Sequence, residues 1–169
     1  KLNGEIHPPP FVSKFIQDID AMPYPDKDLY ADTFPTNDVY NLITGRGCPY
    51  RCDFCFNNKF AELPTGGKPK EYLRRRGVDN VVRELLWAKN KFNFRSVQFW
   101  DDIFTMNSDW LEEFLPRYKK EIDCPYVCET HANFMDEKLA QLLKDTGCVK
   151  VQMGIQSLSE AIYKRTILR

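Results

Sequence analysis

Three cysteines, Cys48, Cys52 and Cys55, fall in a C-x3-C-x2-C spacing within the stretch TGRGCPYRCDFCFN, residues Thr44–Asn57. Thiolates suit zinc and iron–sulfur clusters. A structural zinc site takes four ligands, usually from two ligand pairs, and no second C-x2-C follows. Three thiolates match a four-iron cluster with one iron left without a protein ligand, and the spacing differs from ferredoxin patterns, in which four cysteines ligate the cluster. Gly45 and Gly47 let the backbone turn before the first ligand. Tyr50, Phe54 and Phe56 interleave the cysteines. They can screen a cluster from water, which tunes its potential, or simply pack on a core. Arg46 and Arg51 can offset the charge of a thiolate-ligated cluster.

The motif has to be positioned by elements, and these read as alternating strands and helices. Val39–Thr44 is β-branched and apolar and stops at Gly45, so a first strand ends where the cysteine loop begins. A polar loop is expected from Asn57 to Gly77, with the basic run Arg74–Arg76 as a solvated surface or as a contact for an anionic group or a reductase. Val78, Val81, Val82, Leu85 and Leu86 recur at helical spacing to about Asn90. A second strand, Arg95–Trp100, ends in Asp101 and Asp102. Ser108–Lys119 is a helix that Pro116 should kink or shorten. Tyr126–Thr130 is a third strand, Asp136–Thr146 a helix closed by Gly147, and Val149–Ile155 a fourth alternating strand. Ser157 and Glu160 form a box that opens another helix. Crossovers of this length imply parallel strands and right-handed units, and they place the cysteine loop at the C-terminal strand ends, where such folds carry their chemistry.

The 169 residues are 43% apolar and 28% charged, with 24 basic and 24 acidic side chains. That describes a globular domain with a core and gives no electrostatic case for nucleic acid or a membrane as partner. No apolar run approaches the length of a membrane span. The opening KLNGEIHPPP lacks the apolar core of a secretory signal. Six cysteines without such a signal favour metal chemistry in a reducing cytoplasm, low in oxygen, over disulfides. Residues 1–37 are rich in proline, which forbids a long helix. Only Phe11–Ile19 offers a short one, and the segment reads as an extended arm or connector to a core at 38–169.

Cys48-x3-Cys52-x-Phe54-Cys55, with an aromatic before the third cysteine, resembles the cluster motif of the radical S-adenosylmethionine (radical SAM) enzymes, and the resemblance runs from about Val39 to the C-terminus. It implies an α/β fold, a partial parallel (β/α) barrel with about four of the six units present. It also implies a 4Fe-4S cluster on the three cysteines, SAM chelated at the fourth iron, and reductive cleavage of SAM to a 5′-deoxyadenosyl radical that activates a C–H bond of a small-molecule substrate. An electron donor of flavodoxin or ferredoxin type is implied as partner. Trp100-Asp101-Asp102 stands where the family carries a Gly-Gly-Glu-type segment that meets the SAM amino group. Met153-Gly154-Ile155-Gln156-Ser157 resembles the G-I-E-S segment, with Gln156 in place of Glu. Glu129, Thr130 and His131 end a strand on the same rim.

Phe54, Asp101, Asp102, Glu129, Gln156 and Ser157 are therefore the expected cofactor contacts. Each Asp is equally a loop or helix cap, and Ser157 is equally the cap of the next helix. The connector and the Asp-Asp variant resemble members that carry an N-terminal cobalamin-binding domain, which would put cobalamin outside this chain and leaves methyl transfer and cyclisation open. With two units missing, the sheet would keep an apolar edge that invites self-association. The alternative is a non-catalytic zinc- or Fe-S-binding module on the same cysteines, completed by His131 or another cysteine. Cys124, Cys128 and Cys148 otherwise read as small buried residues.

Overall fold

A computed structural model describes residues 14–30, 38–62 and 69–162. Its centre is a four-stranded parallel sheet: β1 Val39–Leu42, β4 Ser96–Phe99, β5 Tyr126–Thr130 and β6 Cys148–Met153, in that spatial order. The order follows the chain, so each crossover returns its helix to the same side of the sheet. Helices α2 Val78–Phe92, α3 Ser108–Glu121 and α4 Glu137–Asp145 cover that side. Tyr40, Leu42, Val97, Phe99, Tyr126 and Cys128 are buried beneath them together with Val81, Leu85, Leu111, Phe114 and Leu143. Strand pleating sends the alternate residues Asn41, Gln98, Val127 and Glu129 to the other face, which no helix among the described residues covers.

Several elements depart from the sequence expectation. Asn57–Gly77 is not one long loop. It contains α1 Phe56–Ala61, a 3-10 turn at Pro69–Tyr72 and a short strand, β3 Arg74–Arg75. β3 pairs antiparallel with β2 Gly45–Arg46, so the first strand stops at Leu42 and the chain starts a separate ribbon. α3 continues through Pro116 to Glu121. Pro116 lies on the solvent side while Leu111, Leu115 and Tyr118 are buried, so packing on both sides of the proline offsets the lost hydrogen bond.

The helix expected from Phe11 to Ile19 falls partly outside the described residues. Within them, only a 3-10 turn at Ile19–Ala21 forms, capped by Asp18. In β6 the register slips between Tyr126 and Val127 of the partner strand, and Val149 falls at that slip. Beyond it, Val151 and Met153 are exposed where the cover of α4 ends. The helix after Ser157 is described only at its first residues, 160–162.

The N-terminal arm, residues 14–30, lies against the core. Asp20 accepts the Gly77 backbone N–H at 2.9 Å and so caps α2 from outside, because Gly77 has no capping side chain. A Cβ on Gly77 would meet Asp20 Oδ2 at 2.7 Å. The Tyr24 hydroxyl donates to Asn80 O, and the Lys27 ammonium donates to Asn41 O on the free edge of β1. No helix among the described residues is long and apolar enough to cross a membrane.

Candidate functional site

The cysteine loop leaves the C-terminal tip of β1 and is fixed there from three sides. Below it is a buried polar hub. Thr44 donates to Asp101 through its backbone N–H at 2.9 Å and its hydroxyl at 2.7 Å. The Arg75 guanidinium lies 3.8 Å from Asp101, donates to Thr44 Oγ1 at 3.2 Å and to Phe104 O at 2.6 Å, and sits 4.4 Å over the Trp110 ring. Burial pushes the Asp101 carboxyl up from its ordinary range while Arg75 and the Thr44 N–H pull it back. Burial likewise holds Arg75 below its usual value, opposed by Asp101. The hub joins the tips of β1 and β4 to the ribbon. A Cβ on Gly45 would come 3.0 Å from Asp101 Oδ1, so this glycine serves close approach rather than a turn. Gly47 makes the turn: its φ is +91°, and a Cβ there would meet Tyr72 O at 2.8 Å.

A second chain of contacts flanks the loop. The Tyr72 hydroxyl bonds Asn57 Oδ1, and Asn57 Nδ2 donates to Asp102 Oδ1 at 2.8 Å. Asp102 is exposed, and its charge is felt at Cys48. On the third side Tyr50 stacks on His131 with centroids 4.2 Å apart, and Asn133 Nδ2 donates to the Tyr50 hydroxyl at 2.8 Å. This clamps the loop to the end of β5.

Cys48, Cys52 and Cys55 are half-buried free thiols on one turn, with the Cys55 N–H donating to Cys52 O at 3.0 Å. Burial pushes the Cys48 thiol up to about 11, reinforced by Asp102, Cys52 and Cys55. Burial also raises Cys52, with Cys55 adding to it. A bound cation would displace the thiol protons. Among the described residues no three His, Cys, Asp or Glu side chains, Cys48, Cys52 and Cys55 included, gather as a group that could hold a metal ion; the fit of the triplet to a cluster rests on its donor types and spacing. The donor set fits a group that takes three thiolates and keeps one position open. His131 does not complete a zinc site: its ring is stacked on Tyr50, and its Nδ1 accepts from Asn133 N at 3.2 Å. Cys128 lies in the helix-covered core with its sulfur 4.0 Å from that of Cys148, away from the strand ends that carry the loop.

The other expected contacts separate. Asp101 is 2% exposed and committed to the hub, whereas Asp102 faces outward. Phe54 and Phe56 are 60% and 65% exposed and do not cover the thiols from water on their own. Glu129 lies on the uncovered sheet face, where Gln152 Nε2 donates to it at 3.1 Å. Gln156 has φ +62°, and its amide folds over Gly154, where a Cβ would lie 2.4 Å from Nε2. Ser157 Oγ accepts from the Ser159 N–H at 3.1 Å.

Gln98 and Gln152 are additions that sequence reasoning missed. They share the uncovered face with Glu129, and Gln98 Nε2 is buried without a hydrogen-bond partner. The available signal was polar residues at alternate positions of strands whose other residues are apolar. The basic run Arg74–Arg76 is not a solvated surface. Arg75 enters the hub, and Arg76 pairs with the fully buried Glu84 at 2.5 Å.

The family model of the Radical SAM superfamily matches residues 42–169. The chain belongs to the radical SAM superfamily. An uncharacterized methyltransferase of Pyrococcus horikoshii is 31% identical over 97% of this chain and 35% of its own length. The cytidylyl-2-hydroxyethylphosphonate methyltransferase of Streptomyces wedmorensis is 30% identical over 76% of this chain and 23% of its own. This radical SAM chain thus spans about a third or less of the curated relatives it matches. Among solved structures it is similar to the radical SAM methyltransferase TsrM from Kitasatospora setae. With cobalamin and a [4Fe-4S] cluster bound, that protein gives a TM-score of 0.55 at 19% identity, over 74% of this chain and 22% of TsrM. With tryptophan substrate and the SAM analog aza-SAM bound, the TM-score is 0.58 at 18% identity, over 82% and 25%. At that identity the likeness carries the fold, an incomplete parallel radical SAM barrel.

Proposed function

We propose that this chain is the core of a radical SAM methyltransferase that binds a 4Fe-4S cluster and SAM. The observation that carries the reading is the loop at the tip of β1. It presents three free, half-buried thiols on one turn in a C-x3-C-x2-C spacing, beside a polar sheet face. A cluster held by Cys48, Cys52 and Cys55 would leave one iron for SAM and supply the electron that cleaves it to a 5′-deoxyadenosyl radical. The chain's residues orient and shield. The Asp101–Thr44–Arg75 hub fixes the loop, and Asp102 offers an exposed carboxylate for the SAM ammonium group. Gln98, Glu129 and Gln152 provide hydrogen-bonding groups on the open face, and Gln156 and Ser157 do so from the end of β6. Phe54, exposed beside the thiols, would pack against the bound groups.

The methyltransferase names of both curated relatives support methyl transfer on a small molecule. TsrM's bound cobalamin supports a cobalamin held by a domain outside this chain. A flavodoxin- or ferredoxin-like protein in the cytoplasm would supply the electron.

The deciding experiment is low-temperature EPR on anaerobically reconstituted, dithionite-reduced protein, with and without SAM. A reduced four-iron signal that changes shape with SAM is expected, and it should be absent in each of Cys48→Ala, Cys52→Ala and Cys55→Ala. Zinc without acid-labile sulfide would overturn the reading in favour of a binding module.

A further inference from the structure

We propose that the cavity between the N-terminal arm and the tip of β1 is an oxyanion subsite, anchored by Lys27, that takes a carboxylate or phosphate group of the substrate. The cavity has a volume of about 260 Å³. Its walls come from elements far apart in sequence: Tyr24 and Lys27 of the arm, Asn41 of β1, Arg46 of β2 and Trp100 beyond β4, with Arg76 and Glu84 at the base.

The charges lining this space do not balance. Lys27, Arg46 and Arg76 face one carboxylate, Glu84. That carboxylate is already taken: Arg76 Nη1 is 2.5 Å from it, and the Tyr40 hydroxyl donates to it at 2.8 Å. Arg76 is tied further to Asn80 Oδ1 at 2.7 Å. Lys27 and Arg46 are the surplus. The Lys27 ammonium gives one hydrogen bond to Asn41 O and lies 3.3 Å from the centroid of the Tyr40 ring. An ammonium has three donors, so capacity remains for an incoming oxygen.

Burial pulls Lys27 down to about 8, with Glu84 opposing and Arg76 adding to the fall. A half-buried cation short of negative charge is what an oxyanion stabilises. The volume admits such a group with a small body attached. Trp100 is positioned to hold that body: its indole N–H donates to Asn41 Oδ1 at 2.7 Å while half of the residue stays exposed, so the ring is fixed and presented. Arg46 stands two residues before Cys48, so one wall of the cavity is continuous in sequence with the cysteine loop.

Calling the anion part of a substrate rests on the enzyme reading above, but the binding does not require cluster or SAM. The test is therefore a titration of the metal-free protein, followed by Trp100 indole NMR, with inorganic phosphate in one arm and acetate in the other. Saturable binding of at least one anion is expected, stronger at pH 7 than at pH 9. It should weaken at least tenfold in Lys27→Gln, persist in Lys27→Arg and stay unchanged in the surface variant Lys138→Gln. The stronger anion identifies which oxyanion the subsite prefers. Circular dichroism checks folding. If Lys27→Gln does not fold, Arg46→Gln takes its place, with the same loss expected. Absence of saturable binding in the wild type, or equal binding in the folded Lys27→Gln variant (Arg46→Gln where that one is used), would overturn the proposal. Anion binding with no four-iron EPR signal would instead sink the enzyme reading and leave the subsite standing.

Discussion

Adjacent residues at a strand tip do different work here because successive side chains leave a strand on opposite faces. Asp101 turns into the protein and holds Thr44 and Arg75, while Asp102 turns outward toward the cysteine loop. Asp101→Ala would strand the Arg75 guanidinium in a buried site, and breaking a buried pair in this way costs about 3–5 kcal/mol. Asp102→Ala removes an exposed carboxylate but leaves the buried Asn57 Nδ2 without its acceptor, which costs about 1–3 kcal/mol. Urea denaturation of the metal-free protein measures both, and equal losses would contradict the division of labour. Gly47→Ala forces a side chain into a left-handed position against Tyr72, and strain of this kind costs about 1–3 kcal/mol. The cysteine triplet was legible in the sequence because its meaning lies in local spacing. The role of Arg75 was not, because its partners Thr44, Asp101 and Phe104 arrive from other segments. Nor could sequence decide between the two aspartates, since that depends on which face each side chain leaves.

At the level of elements, the parallel strands and their crossover helices could be read from periodicity because each buries one stripe on a common core. The ribbon of β2 and β3 could not, since two-residue strands carry no period. The arm was legible as an extended arm or connector without a long helix; what it packs against depends on single contacts such as Asp20 with Gly77 and Lys27 with the edge of β1. Lys27 gives that contact a measurable pH dependence. Its value in the folded protein is about 8 against 10.5 for an ordinary lysine. Between those values the unfolded chain binds more protons than the folded one, so stability contributed at this residue rises as pH increases from about 8 to 10.5. Lys27→Met removes the titrating group. The difference in denaturation midpoint between wild type and variant should therefore shift toward the wild type across that interval. A constant difference would show that the ammonium is not buried against the core.

For the molecule as a whole, the helices cover one face of the sheet, and the cover ends at β6. Val149 is 67% exposed, Ile155 62% and Leu158 95%, and Val151 and Met153 join them along the same border. Among the described residues β6 is also the sheet's edge, with β5 as its one partner, so backbone donors and acceptors left unpaired by those residues run beside an apolar strip. Charged residues are the usual device that keeps such an edge from pairing with another chain. Here Lys150 supplies one charge, but it alternates with Val149 and Val151 and does not interrupt the strip. The 169-residue chain on its own should therefore associate with itself through β6, independently of cluster or SAM. Sedimentation velocity should show a weight-average mass that climbs with concentration, and the double variant Val149→Lys, Leu158→Lys should stay monomeric over the same range. Because both positions are exposed, the urea midpoint should not move. A wild-type chain that sediments as a monomer throughout would mean that the slip in register at Val149 already twists this edge enough to block pairing.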